Sequence, residues 1–315
     1  MIDFVTEPDN EPIDPFEEYF ANQITPLADN DNDIKRKYRS QFWTYFWSVS
    51  FLYLINVMIE LFRHLMSGHK VNYEQQLIIG FVCILIIFIP IIKYYLHKKT
   101  DMFDVFIRFY GDFEHLKDCQ VYDAHLPMAP KHNILRIYHN AMGYSKNVKV
   151  EIRDTDYVQE TTYKKLKWRR VVGQGVRINL TMPEDFPAQI FLFDKSSSKR
   201  NVVPDGCQKF DLNIPASNYF SMCSTDVAYA KELLCSAFFE GLLDLQDVFR
   251  AKKIHAEIRN NTIKIFLVDS ELYFDTYKFW SRQIDKERFR RLHRQFERTL
   301  SFTQTFINII NMIER

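Results

Sequence analysis

Glycine and cysteine are both scarce in this sequence. Of 315 residues only 8 are glycine, whereas 16% are aromatic, which is typical of a helix-rich protein with aromatic packing rather than of a disordered one. No two cysteines have the C-x-x-C spacing of a metal or redox site: they are Cys83, Cys119, Cys207, Cys223 and Cys235. We therefore expect reduced thiols in the cytoplasm.

The motifs of common catalytic and cofactor sites are also missing. The sequence has no P-loop, G-x-S-x-G or H-E-x-x-H motif, and Gly173-Gln174-Gly175 lacks the third glycine and the following helix of a dinucleotide fingerprint. Prolines break the helix that would align three regularly spaced histidines on a metal: His125, His132 and His139. Cys223 and Cys235 are interpreted as small core residues. We therefore predict no catalytic residue, metal or cofactor.

The most apolar stretch carries no charged residue from Leu77 to Ile92. Extended to Leu96 it reaches about 20 residues, or roughly 30 Å as a helix, which matches the hydrocarbon core of a bilayer. Its many Leu, Ile, Val and Phe side chains favour insertion and outweigh Pro90 and Lys93, because the lysine can extend to the interface. We predict that residues 77–96 span a membrane.

A second apolar run, residues 43–62, precedes this stretch. Three aromatic residues at its start resemble an interfacial belt: Trp43, Tyr45 and Trp47. Asn56 and Glu60 lie within it or near its end, so a buried or interfacial amphipathic helix is the alternative to a second span. Residues 63–76 allow only a tight connection. This predicts a helical hairpin in which Asn56 hydrogen-bonds to the second helix.

Flanking charges set the predicted orientation. Basic residues precede the first run and follow the second: Lys35, Arg36, Lys37, Arg39, Lys93, Lys98 and Lys99. The connection offers only Arg63 and Lys70, so the positive-inside bias places both termini in the cytoplasm. The chain starts acidic and polar, which predicts no cleaved signal peptide.

Residues 1–42 are predicted to form an acidic cytoplasmic tail. Residues 1–33 carry ten acidic side chains and no lysine or arginine, and several prolines and asparagines are expected to interrupt any long helix. One interpretation is a solvated, partly disordered tail. The other is a docking segment for a basic partner.

The rest of the chain predicts an α+β fold in the cytoplasm. Residues 97–126 show a helical seam that would continue out of the second span: Met102, Phe106, Phe109, Phe113 and Leu116. Residues 127–280 predict an α+β domain. Alternating strand segments run from Val148 to Phe193, residues 194–199 form a hairpin loop, and a helix over 226–249 is capped by Ser224 or Thr225. Two further strands turn at Asn260–Asn261. The predicted fold class is a transmembrane hairpin followed by a mixed α/β-sheet domain with flanking long helices.

Residues 281–315 are predicted to form an amphipathic C-terminal helix. Its apolar positions alternate by three and four residues, which suits either a coiled coil or a long bundle helix. Five of them are candidate self-association residues, through which a second copy or another protein would bind: Phe289, Leu292, Phe296, Phe306 and Ile310.

A basic run interleaved with apolar residues lies within the predicted sheet: Lys164, Lys165, Lys167, Arg169 and Arg170. Strand alternation places Lys167 and Arg169 on the face opposite Trp168. The run either contacts anionic lipid headgroups or nucleic acid, or is a solvated sheet face. A net charge of +1 gives no general case for nucleic-acid binding, so no such partner is expected.

Three segments carry a resemblance to a known family: 171–195 (VVGQGVRINLTMPEDFPAQIFLFDK), 217–245 (SNYFSMCSTDVAYAKELLCSAFFEGLLDL) and 254–267 (IHAEIRNNTIKIFL). The N-terminal phrase from Pro15-Phe16 to Tyr38-Arg39 is also similar. Together they resemble an uncharacterised family of bacterial membrane proteins that is known only as a domain of unknown function. The resemblance implies a pair of N-terminal spans, a strand unit built around a glycine like Gly175, and a bacterial inner-membrane setting. It implies no activity.

These observations favour a membrane-anchored binding or assembly module that is integral to the bilayer. The alternative is a membrane-surface enzyme that acts on a lipid or nucleotide, with a site formed only in three dimensions. A deep polar pocket lined by residues with shifted pKa values would favour the enzyme, and a shallow surface would favour the binding module. A protein inserted into a host membrane is a third interpretation.

Overall fold

The computed structural model describes residues 14–68, 73–97, 101–121, 134–163, 166–196, 203–270 and 286–313. It confirms an α+β fold with an antiparallel sheet and a C-terminal helix. The chain forms two compact units. One comprises Met1–Met102 and Asp275–Lys286, and the other comprises Phe103–Phe274 and Glu287–Arg315.

The described residues of the first unit form mainly helices between Pro15 and Leu96. Helix α1 (Pro15–Tyr19) leads through a π-helical turn (Phe20–Ile24) into α2 (Thr25–Ser67), and α3 (Tyr73–Leu96) follows. The prediction that prolines interrupt this region was therefore wrong for the described part of the tail. Pro15 lies in the first turn of α1, where no amide hydrogen is needed, and the π-helical turn closes just before Pro26 with a bond from the Thr25 amide to the Phe20 carbonyl.

Helices α2 and α3 are both long and apolar enough to cross a membrane. They also contact each other. Nδ2 of Asn56 donates to Oε1 of Gln76 at 3.0 Å, which confirms the predicted bond across to the second helix. Further along the pair, the rings of Tyr38 and Tyr94 pack edge to face with centroids 6.2 Å apart. Helix α2 is much longer than the predicted run 43–62.

The described residues of the second unit form a nine-stranded antiparallel sheet. Its strands are β1 (Glu114–Val121), β2 (Ile134–Ser145), β3 (Val148–Tyr163), β4 (Leu166–Thr181), β5 (Ile190–Asp194), β6 (Gln208–Phe210), β7 (Phe220–Ser224), β8 (Lys253–Arg259) and β9 (Thr262–Val268). Their spatial order is β1-β2-β3-β4-β9-β8-β5-β7-β6. The predicted alternating segments after Val148 are thus β3, β4 and β5, and the turn at Asn260–Asn261 joins β8 to β9 as predicted.

Strand β1 replaces part of the predicted juxtamembrane helix. Helix α4 (Met102–Arg108) ends before Gly111, whose φ of 61° favours glycine, and β1 begins at Glu114. Phe106 lies in α4 and Phe113 lies directly before β1, and both side chains are buried. The spacing of these two residues therefore fits one continuous helix, and it fits equally well the observed helix that is followed by a turn and a strand.

The predicted hairpin loop after Asp194 was also wrong, although residues 197–199 of it lie outside the described residues. Strand β5 pairs with β7 and β8, whereas β6 pairs only with β7 among the described strands. The chain therefore does not return as a hairpin partner of β5.

The predicted helix over 226–249 is interrupted. Helix α5 (Val227–Leu233) is capped by Oδ1 of Asp226, which accepts from the amides of Ala228 and Tyr229, rather than by Ser224 or Thr225. The chain turns at Leu234, where ψ is 62°, and continues as α6 (Ser236–Val248). Helix α7 (Lys286–Ile313) matches the predicted C-terminal helix.

One face of the sheet carries the apolar core. A row in register across six strands is at most 2% exposed: Ile152, Ile178, Ile265, Ala256, Leu192 and Met222. Helices α6 and α7 pack together, since the ring of Phe238 lies 5.8 Å from those of Phe302 and Phe306. Burial of these large side chains supplies most of the stabilisation.

Candidate functional sites

The apolar seam of α7 lies inside its own unit. Phe289, Leu292, Phe296 and Phe306 are at most 2% exposed, and the Phe296 ring lies 5.3 Å from that of Phe106. These side chains already pack in the core of one chain. Self-association through them would require α7 to leave that core, so the structure argues against the predicted role.

Ile310, the fifth predicted association residue, lines a cavity at the end of α7. The cavity has a volume of 520 Å³ and opens to the surface. Its walls come from the β2–β3 turn, the loop after β4, α5 and the last turns of α7. The apolar part of the lining includes Val148, Met182, Phe186, Ile307, Ile310 and Ile313.

Exposed polar side chains surround this apolar lining: Lys146, Asn147, Glu184, Asp185 and Asn311. The two carboxylates and the carbonyl end of α7 make the rim acidic on balance, despite Lys146. The volume falls in the range of small-molecule sites. The cavity can hold an apolar group against the isoleucines of α7, with a polar end at the rim.

The second face of the sheet carries a row of buried polar groups. Oε2 of Glu151 accepts a hydrogen bond from Asn179 at 3.1 Å, and Oε1 lies 2.8 Å from Nζ of Lys149. Burial alone would raise the pKa of Glu151, but the hydrogen bonds from Lys149 and Asn179 and the charge of Arg153 hold this pKa below its usual range. Arg177 donates to Oδ1 of Asn179 at 2.9 Å.

His255 and Glu257 continue this polar face on β8, and they are 4% and 2% exposed. Nδ1 of His255 accepts from the Asp194 amide at 3.2 Å. Burial lowers the pKa of His255 to about 4, which keeps the imidazole neutral. Lys264 lies 4.0 Å from the Glu257 carboxylate. None of these groups lines the cavity.

Cys207 and Cys223 pack together beside Phe191 and Phe193 on the same face of the sheet. Burial raises the pKa of Cys223 to about 12 and also raises that of Cys207, so both thiols are protonated at neutral pH. A protonated, buried Cys223 fits the prediction of a small core residue. Within the described residues no three His, Cys, Asp or Glu side chains come together to hold a metal ion.

The basic run lies on a two-stranded extension of the sheet, here called the β-arm (residues 159–163 and 166–173). Strand β9 pairs with β4 only from Gly175 onward, and β2 pairs with β3 only up to Val158. Beyond those points β3 and β4 pair with each other. Lys164 and Lys165 lie outside the described residues.

The two faces of the β-arm differ. Glu160 lies directly opposite Arg169 and accepts from its Nε at 2.7 Å, and Lys167 lies 3.4 Å from the same carboxylate. Trp168 and Arg170 project to the other face, as the predicted alternation requires. Trp168 is 64% exposed and Arg170 is exposed as well.

Sequence reasoning identified the basic run but missed the cavity. Its lining comes from segments that lie far apart in the chain, and Glu184–Asp185 carried only the signal of a solvated turn flanked by prolines. Both carboxylates are exposed, at the rim. No local pattern marks the cavity.

No family model matches this chain, and no curated protein matches it. The crystal structure of the mycobacterial trehalose monomycolate transport factor A, TtfA, is a structural match with 8% sequence identity and a TM-score of 0.37. The match covers 64% of this chain and 91% of that one. A similarity this low supports no conclusion about what this chain binds or does.

Proposed function

We propose that this chain is a membrane-anchored binding module, in which α2 and α3 cross a bilayer and the second unit binds its ligand or partner in the cytoplasm. The observation that carries the proposal is the apolar surface of the two helices. Large apolar side chains on them are between 36% and 78% exposed, among them Phe51, Leu52, Met58, Phe81, Leu85 and Phe88. Apolar surface of this extent requires lipid or another apolar partner to cover it.

The helix lengths support specific spans. Helix α2 has 43 residues, so it is about 64 Å long and exceeds the roughly 30 Å core of a bilayer. The apolar segment 43–62 and its counterpart 77–96 are the proposed membrane parts, and the basic residues from Lys35 to Arg39 then lie at the cytoplasmic surface. The bond between Asn56 and Gln76 satisfies polar groups that lipid cannot.

Both termini are proposed to be cytoplasmic. The segments before the first span and after the second carry more Lys and Arg residues than the connection between the spans does. The family resemblance supports the inner membrane of a bacterium as the setting. Reduced thiols agree with a cytoplasmic second unit, and its described cysteines form no disulfide.

Binding is favoured over catalysis by the nature of the cavity. Its lining is mainly apolar, and the groups with clearly shifted pKa values, such as Glu151 and His255, lie elsewhere. Catalytic sites usually bring such groups into the pocket itself. We therefore propose a ligand with an apolar group that fits against Ile307 and Ile310.

Cysteine labelling tests the proposed topology. In a cysteine-free background, Met66→Cys and Met312→Cys give two reporters whose native side chains are equally exposed, at 71% each. A membrane-impermeant maleimide added to intact cells should label the first variant only. Permeabilised cells should show labelling of both. Labelling of Met312→Cys in intact cells would refute the proposed orientation.

A further inference from the structure

We infer that the β-arm is a docking surface for anionic lipid headgroups, with Trp168 and Arg170 on the face that meets the lipid. The inference rests on the proposed membrane anchoring for the source of the lipid. The β-arm belongs to β3 and β4 and is separate from the anchoring helices α2 and α3.

The first support is the exposure of the β-arm. No described strand flanks it on either side, and every residue from Lys167 to Val171 is exposed. Trp168 is 64% exposed, although tryptophan is a residue that folding usually covers. An uncovered tryptophan on a paired ribbon needs no refolding to meet a surface.

The second support is the sign and placement of the charge. Residues 159–173 contain five basic side chains and one acidic side chain, so the net charge of the segment is +4. The acid is Glu160, and its hydrogen bond from Arg169 holds the pKa of its carboxyl below the usual range, so it is ionised at neutral pH. The Glu160 carboxylate neutralises part of the positive charge on the face that carries Lys167 and Arg169. The face of Trp168 and Arg170 carries no acid among its described side chains.

The third support is the combination of residue types. Tryptophan prefers the headgroup region of a bilayer, and Lys and Arg are drawn to its anionic surface. Single-stranded nucleic acid is usually held by several stacking aromatics, whereas the described side chains of the β-arm include one exposed aromatic ring. The charge and the single tryptophan therefore favour a lipid surface.

Vesicle binding by the full-length protein tests the inference. The protein is embedded in nanodiscs of phosphatidylcholine and mixed with separate vesicles, made either of phosphatidylcholine or of an equimolar mixture with phosphatidylglycerol. Co-sedimentation gives the apparent affinity. We expect binding only to the anionic vesicles, and weaker binding as the salt concentration rises.

Four variants test whether vesicle binding depends on the β-arm. Arg170→Gln should weaken binding about fivefold, the effect of one surface cation, and Trp168→Ala should weaken it as well. Glu160→Gln should strengthen binding about fivefold, because it removes the only acidic charge in residues 159–173 and so raises the attraction of the whole segment to an anionic surface. Lys231→Gln is the control. It removes the same charge from an exposed position on α5 and should leave binding unchanged.

Vesicle binding that is insensitive to Trp168→Ala and Arg170→Gln would overturn the inference. So would a single-stranded oligonucleotide that binds through these two residues and displaces the vesicles, because the β-arm would then be a nucleic-acid site. Failure of the anchoring proposal would look different, since every variant alike would fail to embed in the nanodiscs.

Discussion

A Cβ atom added to Gly175 on β4 would lie 2.1 Å from the carbonyl oxygen of Leu267 on β9. No side chain fits at that distance, because the contact is with backbone rather than with a flexible side chain. Gly175 lies at the start of the β4–β9 pairing, and its own carbonyl accepts from Oγ1 of Thr155 at 3.0 Å. The absence of a side chain at Gly175 allows the two strands to approach.

Gly175→Ala is therefore expected to destabilise the second unit. Either β4 or β9 must shift to admit the methyl group, at a cost of about 3 kcal/mol. Thermal unfolding of the purified full chain in detergent measures the effect. Gln174→Ala, at the exposed neighbouring position, is the matched control and should change stability little. Equal melting temperatures for the two variants would contradict the close approach.

Acid should weaken the fold through His255. Burial lowers its pKa to about 4 from the ordinary 6.5, so the unfolded chain binds a proton more readily than the folded chain does. The contribution of the neutral, buried His255 to the free energy of unfolding is complete above pH 6.5, and it is lost as the pH falls toward about 4. This shift corresponds to about 3 kcal/mol.

His255→Asn isolates this contribution. The asparagine carbonyl can still accept from the Asp194 amide, but it does not titrate. The unfolding free energy of the variant should fall less steeply between pH 6.5 and 4 than that of the natural chain. Parallel curves over that range would show that His255 is not the responsible group.

The cavity at the end of α7 should bind apolar groups. A photoreactive octylamine that carries a diazirine has a cationic end that suits the acidic rim, and it is expected to label Ile307–Ile313 and the loop after β4, as read by mass spectrometry of the full chain in nanodiscs. Ile310→Trp narrows the cavity with a bulky ring and should reduce this labelling. Met312→Trp adds the same ring at an exposed position outside the lining and should not. Undiminished labelling of Ile310→Trp would count against a ligand site.

Truncation of the α7 seam should cost stability rather than change the oligomeric state. Phe296 is fully buried and contacts Phe106 and Phe113, so Phe296→Ala is expected to destabilise the fold by about 3–5 kcal/mol. Light scattering with denaturant unfolding separates the two effects. A lower mass with unchanged unfolding would instead support the predicted self-association surface.

The parts of the fold that the sequence predicted are those with a local signal. Asn260–Asn261 supplies a two-residue turn between alternating strands, and the seam of α7 repeats over its whole length. The apolar runs of α2 and α3 are also visible in the sequence, and each lies within one helix. Each pattern repeats within one element and therefore needs no knowledge of the rest of the chain.

The missed features depend on contacts between distant segments. Phe113 belongs to the helical spacing that begins at Met102, but Gly111 turns the chain into β1 before that spacing can continue. The seam of α7 predicted burial without indicating what would cover it, and the partners proved to lie within the same chain. The cavity combines Val148, Phe186 and Ile310 from three separate regions, which no local pattern connects.

Alkaline extraction of native membranes tests whether α2 and α3 anchor the chain. We predict that the protein stays in the membrane pellet after a carbonate wash. Ile84→Lys with Phe88→Lys places two charges on α3, each at a cost of about 2.5–3.5 kcal/mol at the centre of a span, and should release it. If the natural chain appears in the supernatant instead, the two helices do not span a bilayer and the chain is not an anchored module.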